Sequence, residues 1–144
     1  MKKLALVTAL AFVSIFNSAS AADSQTTAVT ASIQSICKFS GTAAAVAFGL
    51  INPSDAAAVK SMPLTIPYKC TNGFTPAITT GAIVPLTNAA GNTMAFTVDP
   101  IAVVVATGFT TAVNGTSNVN IASAVWQNAQ AGAYTGSVVL NINN

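Results

Sequence analysis

The chain has 144 residues, of which 52% are apolar and only 6% are charged. It contains no histidine, glutamate or arginine, which excludes Ser-His-Asp and Cys-His nucleophile systems and paired-glutamate glycosidase sites. Three scattered aspartates are too few for a metal site, and no glycine-rich phosphate loop follows any predicted strand. We therefore expect that the chain is not an enzyme and binds no cofactor. A Ser-Lys dyad is the one catalytic alternative left open.

Residues 1–21 have the three parts of a secretory signal peptide. Lys2 and Lys3 are followed by an apolar run from Leu4 to Phe16 and by the small-residue site Ala19-Ser20-Ala21. The run is shorter than the roughly 20 residues that a membrane-spanning helix needs. We expect an exported chain with no membrane span, whose remaining 123 residues form one domain.

The charges that remain after residue 21 cancel. Three lysines stand against three aspartates: Lys38, Lys60, Lys69, Asp23, Asp55 and Asp99. Nucleic acid, anionic lipid and acidic substrates are therefore poorly supported as partners. So few charges also predict low solubility for a monomer, which favours a surface buried against copies of itself over a Thr/Ala-rich secreted monomer.

The first element predicted after the signal peptide is an alternating strand at 26–34. Thr27, Val29, Ala31 and Ile33 share one face, since side chains alternate along a strand. The segment precedes a complete small β-domain. A subunit that lends a strand to its neighbour would be built in this way.

Cys37 and Cys70 are the only cysteines. In an exported chain, an even pair predicts one disulfide, which would stabilise the fold by about 3 to 4 kcal/mol. The alternative is a free redox pair, but the spacing is not that of a C-x-x-C motif.

The rest of the chain predicts an all-β fold, because β-branched residues and period-two alternation recur between Gly, Pro and Asn breakers. Seven or eight short strands at this spacing are typical of a sandwich. The further predicted strands are 45–50, 63–71, 74–80, 93–98, 101–106, 117–125 and 134–142. Gly81 is taken as a breaker and Asn114-Gly115 as a hairpin turn, while 54–62 stays open between a loop and one helical turn.

Two of these strands have clear faces. Leu64, Ile66, Tyr68 and Cys70 share one side, which places the disulfide in the core, and Pro67 favours an edge or a bulge there. In the last strand the apolar face is formed by Tyr134, Gly136, Val138, Leu140 and Ile142. Trp126 is expected in the core rather than in a ligand site or an interface.

The order of these features resembles the chaperone-usher pilins, especially the archaic branch that includes the spore coat protein U domain. The resemblance covers residues 22–144. It is carried by the alternating N-terminal strand, Cys37, the segment Val46-Ala47-Phe48-Gly49, Cys70 at the end of a strand, and Gly132-Ala133-Tyr134-Thr135-Gly136 leading into the last strand.

The resemblance implies an incomplete immunoglobulin-like sandwich that a donor strand from a neighbouring subunit completes. Residues 22–35 would be the donor extension and 36–144 the pilin domain. Thr27, Val29, Ala31 and Ile33 would be the donor residues, and Val138, Leu140 and Ile142 would form one wall of the acceptor groove. Cys37 and Cys70 would tie the first strand of the domain to a neighbouring strand.

The function implied is that of a structural subunit of a surface fimbria in a Gram-negative bacterium, supporting adhesion or biofilm formation. Its partners would be identical or related pilin subunits, a periplasmic chaperone and an outer-membrane usher. The alternative is a monomeric secreted β-sandwich binding module, in which residues 26–34 pair within their own domain.

Overall fold

The computed structural model describes residues 23–144. The chain divides into two units, Met1–Ser32 and Ile33–Asn144. In the first unit, residues 23–32 form neither helix nor strand and are exposed. The predicted signal peptide at 1–21 lies outside the described residues, and the predicted boundary between 22–35 and 36–144 stays a prediction.

The second unit contains seven strands and one short helix in the described part of the chain. In chain order they are β1 (Cys37–Phe39), β2 (Val59–Cys70), β3 (Ala77–Thr87), β4 (Thr93–Met94), β5 (Thr97–Val98), β6 (Val113–Ala122), α1 (Ser123–Trp126) and β7 (Thr135–Asn143). Residues 23–144 contain no helix that could span a membrane.

The strands form two antiparallel sheets, which confirms the all-β prediction. The first sheet has the order β1-β2-β6-β5 and the second has the order β4-β3-β7. The main core cluster joins both sheets, because Ile66 and Tyr68 of β2 share it with Ile78 of β3. A second cluster forms around Met94, Ile121 and Trp126, so Trp126 is in the core as predicted.

The predicted faces of β2 are confirmed. Leu64, Ile66, Tyr68 and Cys70 are all buried, and the Cys37–Cys70 disulfide is present and buried with them. The Tyr68 hydroxyl accepts a hydrogen bond from Val104 N at 2.8 Å and donates one to Val104 O. Tyr68 therefore links β2 to the loop before β6.

Pro67 lies inside β2 and is tolerated there for a local reason. It pairs with Asn114 of β6, yet its carbonyl accepts a hydrogen bond from Ser40 N on the opposite side. Since the N and C=O of one strand residue point the same way, its missing N–H faces the side where β1 has already ended. No bond of the ladder with β6 is lost.

Two predicted breakers were wrong. Asn114 and Gly115 lie inside β6, opposite Pro67 and Ile66, because the long β2 continues to offer a pairing edge where a turn was expected. Gly81 lies inside β3, where register shifts relative to β7 accommodate it. Residues 77–80 of the predicted strand 74–80 therefore belong to a strand that continues to Thr87, while 74–76 form no strand.

Other predicted strands are absent or shorter. Residues 26–34 and 45–50 form no strand, and 101–106 contributes only the isolated bridge between Ala102 and Thr116. The predicted strand 93–98 is split into β4 and β5, and 117–125 gives way after Ala122 to α1. The segment 54–62 is a loop, not a helical turn, as far as residue 58, and β2 begins at Val59. Apolar alternation alone does not make a strand, because a strand also needs a neighbouring edge to pair with.

Candidate functional site

The first feature of the candidate site is a stretch of chain that follows β1 without pairing. Residues 41–51, here called the 41–51 segment, belong to no strand. Within residues 23–144 their backbone groups form no backbone–backbone hydrogen bond. Ala43, Val46 and Phe48 are nevertheless half-buried and pack against the core. The segment is therefore held by its side chains, while its peptide groups remain available for pairing.

The second feature is the free edge of β7. This strand pairs with β3 along one side and ends its sheet. Tyr134, just before it, and Val138, Leu140 and Ile142 within it are half-buried rather than buried. A strand with a solvent-facing edge and an incompletely covered apolar face is a site for pairing with another chain.

Two cavities lie between the chain that follows β1 and the chain around β7, and we call them together the β1/β7 groove. One part is a cavity of about 190 Å³ between Phe39, Gly41 and Ala43 on one side and Val138 and Leu140 on the other. The other part is a cavity of about 650 Å³ that joins residues 46–51 to residues 131–134. Cys37 N donates a hydrogen bond to the Asn144 side chain, which fixes the end of the groove beside the C-terminus of β7.

The floor of the larger cavity is formed by residues of the second core cluster. Met94, Ile121 and Trp126 line it together with Phe48 and Ile51. Neither cavity is lined by a charged residue, and residues 23–144 contain no cluster of three His, Cys, Asp or Glu side chains that could hold a metal ion. The groove therefore combines apolar surface with unpaired backbone, which suits an extended peptide better than a polar small molecule or an ion.

A network of hydrogen bonds holds one rim of the larger cavity. The Tyr134 hydroxyl donates to Gln130 O at 2.9 Å, and Asn88 Nδ2 donates to that hydroxyl at 3.3 Å. Asn92 Nδ2 also donates to Gln130 Oε1 at 3.0 Å. These contacts tie the loop before β7 to the turn between β3 and β4, so they keep that wall of the groove in place.

The only ion pair among the described residues joins Lys60 and Asp55, and neither residue lines the two cavities. Lys60 Nζ donates a hydrogen bond to the Asp55 carboxylate. That bond, helped by the Ala57 backbone N–H, holds the pKa of the Asp55 carboxyl below its usual range. Lys60 Nζ also lies 5.4 Å from the centre of the Trp126 ring, a distance that permits a cation–π contact.

The structure brings together some of the predicted site residues. Val138, Leu140 and Ile142 lie on one face of β7, and the first two line the smaller cavity. The predicted donor residues Thr27, Val29, Ala31 and Ile33 are exposed, Val29 at 91% and Ile33 at 86%. Their neighbours 26, 28, 30 and 32 are exposed as well, so a donor role for one face of this segment stays a prediction.

Sequence reasoning missed the opposite wall of the groove. Residues 45–50 were expected to be a strand, whereas they are unpaired and contribute half-buried Val46 and Phe48. The signal that could have identified the wall was an apolar run rich in small residues between Gly41 and Gly49. Such a run predicts a segment that packs against the rest of the domain, but it does not indicate which strand the segment lies beside.

Comparison with known proteins identified no matching family model, no similar curated protein and no similar solved structure.

Proposed function

We propose that this chain is a structural subunit of a surface fimbria that polymerises by donor-strand exchange. Residues 26–34 of one copy fill the β1/β7 groove of the next and complete its immunoglobulin-like sandwich. The observation that carries the proposal is that the free edge of β7 and the unpaired 41–51 segment border the same smaller cavity of the β1/β7 groove.

The lengths agree. Residues 26–34 and β7 are both nine residues long, and a strand advances about 3.3 Å per residue. The incoming segment can therefore pair along the whole free edge of β7. Its alternate side chains, Thr27, Val29, Ala31 and Ile33, would then all point into the groove.

The energetics also favour burial. Val29 and Ile33 are almost fully exposed, and burying each would stabilise the assembly by about 1.5 to 3 kcal/mol before ordering costs. Thr27 and Ala31 would contribute less. Backbone hydrogen bonds to β7 add to this, because they satisfy an edge that is otherwise open to water.

An open apolar groove also requires protection before assembly, since an uncovered edge promotes aggregation. A periplasmic chaperone fits this need, followed by transfer at an outer-membrane usher. The assembled fimbria would support adhesion or biofilm formation at the surface of a Gram-negative bacterium.

The proposal is tested with sheared surface material run on SDS gels with and without boiling. Wild-type protein should give a ladder that collapses to a monomer on boiling. Ile33→Asp should lose the ladder, because it places an unpaired carboxylate in an apolar groove.

The matched control is Ser32→Asp. It adds the same charge one residue away, on the opposite face of the same strand, and should keep the ladder. A single monomer band in wild type would overturn the proposal and favour a self-contained secreted binding module. Loss of the ladder in both variants would show that a charge on either face of the strand blocks assembly. That result would contradict a groove that contacts only one face.

A further inference from the structure

The residues that lead into β1 are held by one side chain. The Thr71 hydroxyl accepts a hydrogen bond from Ile36 N at 3.0 Å and donates one to Gln34 O at 3.0 Å. Thr71 N also donates to Ile36 O at 2.9 Å. Three hydrogen bonds to a single residue therefore fix the path of residues 34–36.

That path continues the line of β1. Cys37 pairs with Cys70 and Phe39 with Tyr68, and the bond between Thr71 N and Ile36 O extends the same register by one residue. The β1/β7 groove begins on the other side of β1, where Phe39 and Ala43 line it. The chain before Cys37 therefore extends from one end of β1, and the groove extends from the other end.

For residues 26–33 to enter the groove of their own domain, the chain would have to reverse direction within residues 34–36. A reversal would break both bonds to the Thr71 hydroxyl. Gln34, Ser35 and Ile36 also include no Gly, Asn or Asp, the residues that tight hairpin turns favour. A β-branched residue such as Ile36 is especially disfavoured at positive φ.

We propose that Thr71 is a positioning residue that holds residues 34–36 in line with β1, and so favours pairing of residues 26–34 with the groove of a neighbouring copy over pairing with their own. The inference rests on the proposed function, since it assumes that residues 26–34 fill a groove of this kind. It adds the reason why the segment joins two chains rather than closing one. Without the hydroxyl, residues 34–36 are freed from two restraints and self-closure becomes more competitive.

The test measures which copy supplies the strand. Chains labelled with ¹⁴N and ¹⁵N are mixed in equal amounts and refolded, with a small diazirine amino acid in place of Val29. After illumination, cross-linked peptide pairs between position 29 and β7 are sorted by mass into mixed-isotope and single-isotope pairs. Pairs formed only between chains are half mixed, whereas pairs formed within one chain are never mixed.

Wild type should give close to the between-chain limit. Thr71→Val keeps the shape of the side chain but removes the hydroxyl, and it should raise the ratio of within-chain to between-chain pairs about tenfold, or ~1.4 kcal/mol. Thr71→Ser keeps the hydroxyl and should behave like wild type. A paired substitution, Ser35→Asn with Ile36→Gly, builds a favourable turn with Thr71 intact and should move the ratio in the same direction as Thr71→Val.

Trp126 fluorescence verifies that each variant folds, and Thr71→Ala, which also lacks the hydroxyl, replaces Thr71→Val if that variant does not fold. An unchanged ratio in the variant without the hydroxyl, or in the turn-building variant, would overturn the role of Thr71 while leaving strand exchange intact. A Thr71→Ser ratio equal to that of Thr71→Val would also overturn it, because the hydroxyl would then be irrelevant. No cross-link to β7 in any background would overturn strand exchange and this inference together.

Discussion

Two glycines in the paired strands β3 and β7 should respond very differently to the same substitution. Gly136 of β7 lies opposite a register shift in β3. A Cβ atom at Gly136 would approach Val84 O at 2.7 Å and Leu86 N at 2.9 Å, both of which are backbone atoms. At Gly81 of β3 the closest atom would be the end of the Asn141 side chain, at 2.8 Å, which can rotate away.

We expect Gly136→Ala to destabilise the domain by about 1 to 2 kcal/mol. Overpacking typically costs about 1 to 3 kcal/mol, and the backbone atoms at 2.7 to 2.9 Å place Gly136 in the upper part of that range. Replacing a strand glycine by alanine returns about 0.5 to 1 kcal/mol. Gly81→Ala avoids the backbone clash, so its stability should stay within about 0.5 kcal/mol of wild type.

The assay is urea unfolding followed by the fluorescence of Trp126, the only tryptophan in the chain and 2% exposed in the folded state. A thermal scan should show Gly136→Ala melting about 5 to 10 °C lower, given the usual relation between stability and Tm in small domains. Equal stabilities for wild type and Gly136→Ala would refute the close β3–β7 approach. Equal losses in the two alanine variants would refute the distinction between backbone and side-chain contacts.

Two other substitutions test a hydrogen bond in the core and the dependence of stability on pH. Tyr68→Phe should cost about 1 to 3 kcal/mol in urea unfolding, because it removes the hydroxyl that bonds both Val104 N and Val104 O and leaves them unpaired; a neutral result would contradict the account of this link. The hydrogen bond from Lys60 lowers the pKa of Asp55, so the folded state binds a proton at this carboxylate less tightly than the unfolded chain does. The ionised carboxylate therefore stabilises the fold above about pH 4, and this contribution is lost as the pH falls further. Asp55→Asn should therefore be less stable than wild type at pH 7, with the difference closing as the pH falls from about 4 to about 2, and a constant difference across that range would contradict the assignment.

The predictable parts of the fold were those that depend on the pattern of residues within a single strand or on the number of cysteines. The alternation in β2 and β7 predicted which faces are apolar, and the cysteine pair predicted the disulfide. These features depend on the local period of the chain and on the number of cysteines. Both are visible in a sequence without knowledge of neighbours.

The parts that could not be predicted depend on which edges meet. Asn114-Gly115 has the composition of a turn, but the length of β2 draws it into a ladder. Residues 45–50 have the composition of a strand, but no edge pairs with them. One wall of the groove was therefore predictable from β7, while the other wall and the hydrogen bonds of Thr71 to residues 34–36 depend on how distant parts of the chain meet.

Residue-resolved hydrogen exchange would report whether the free edge of β7 receives a strand from another copy. The β7 amides that point away from β3 should exchange fast in monomeric protein and be strongly slowed in the assembled material. The amides bonded to β3 should be protected in both forms and serve as the internal control. Fast exchange of the outward-pointing β7 amides in assembled material would contradict the account, because no strand would then be paired at that edge.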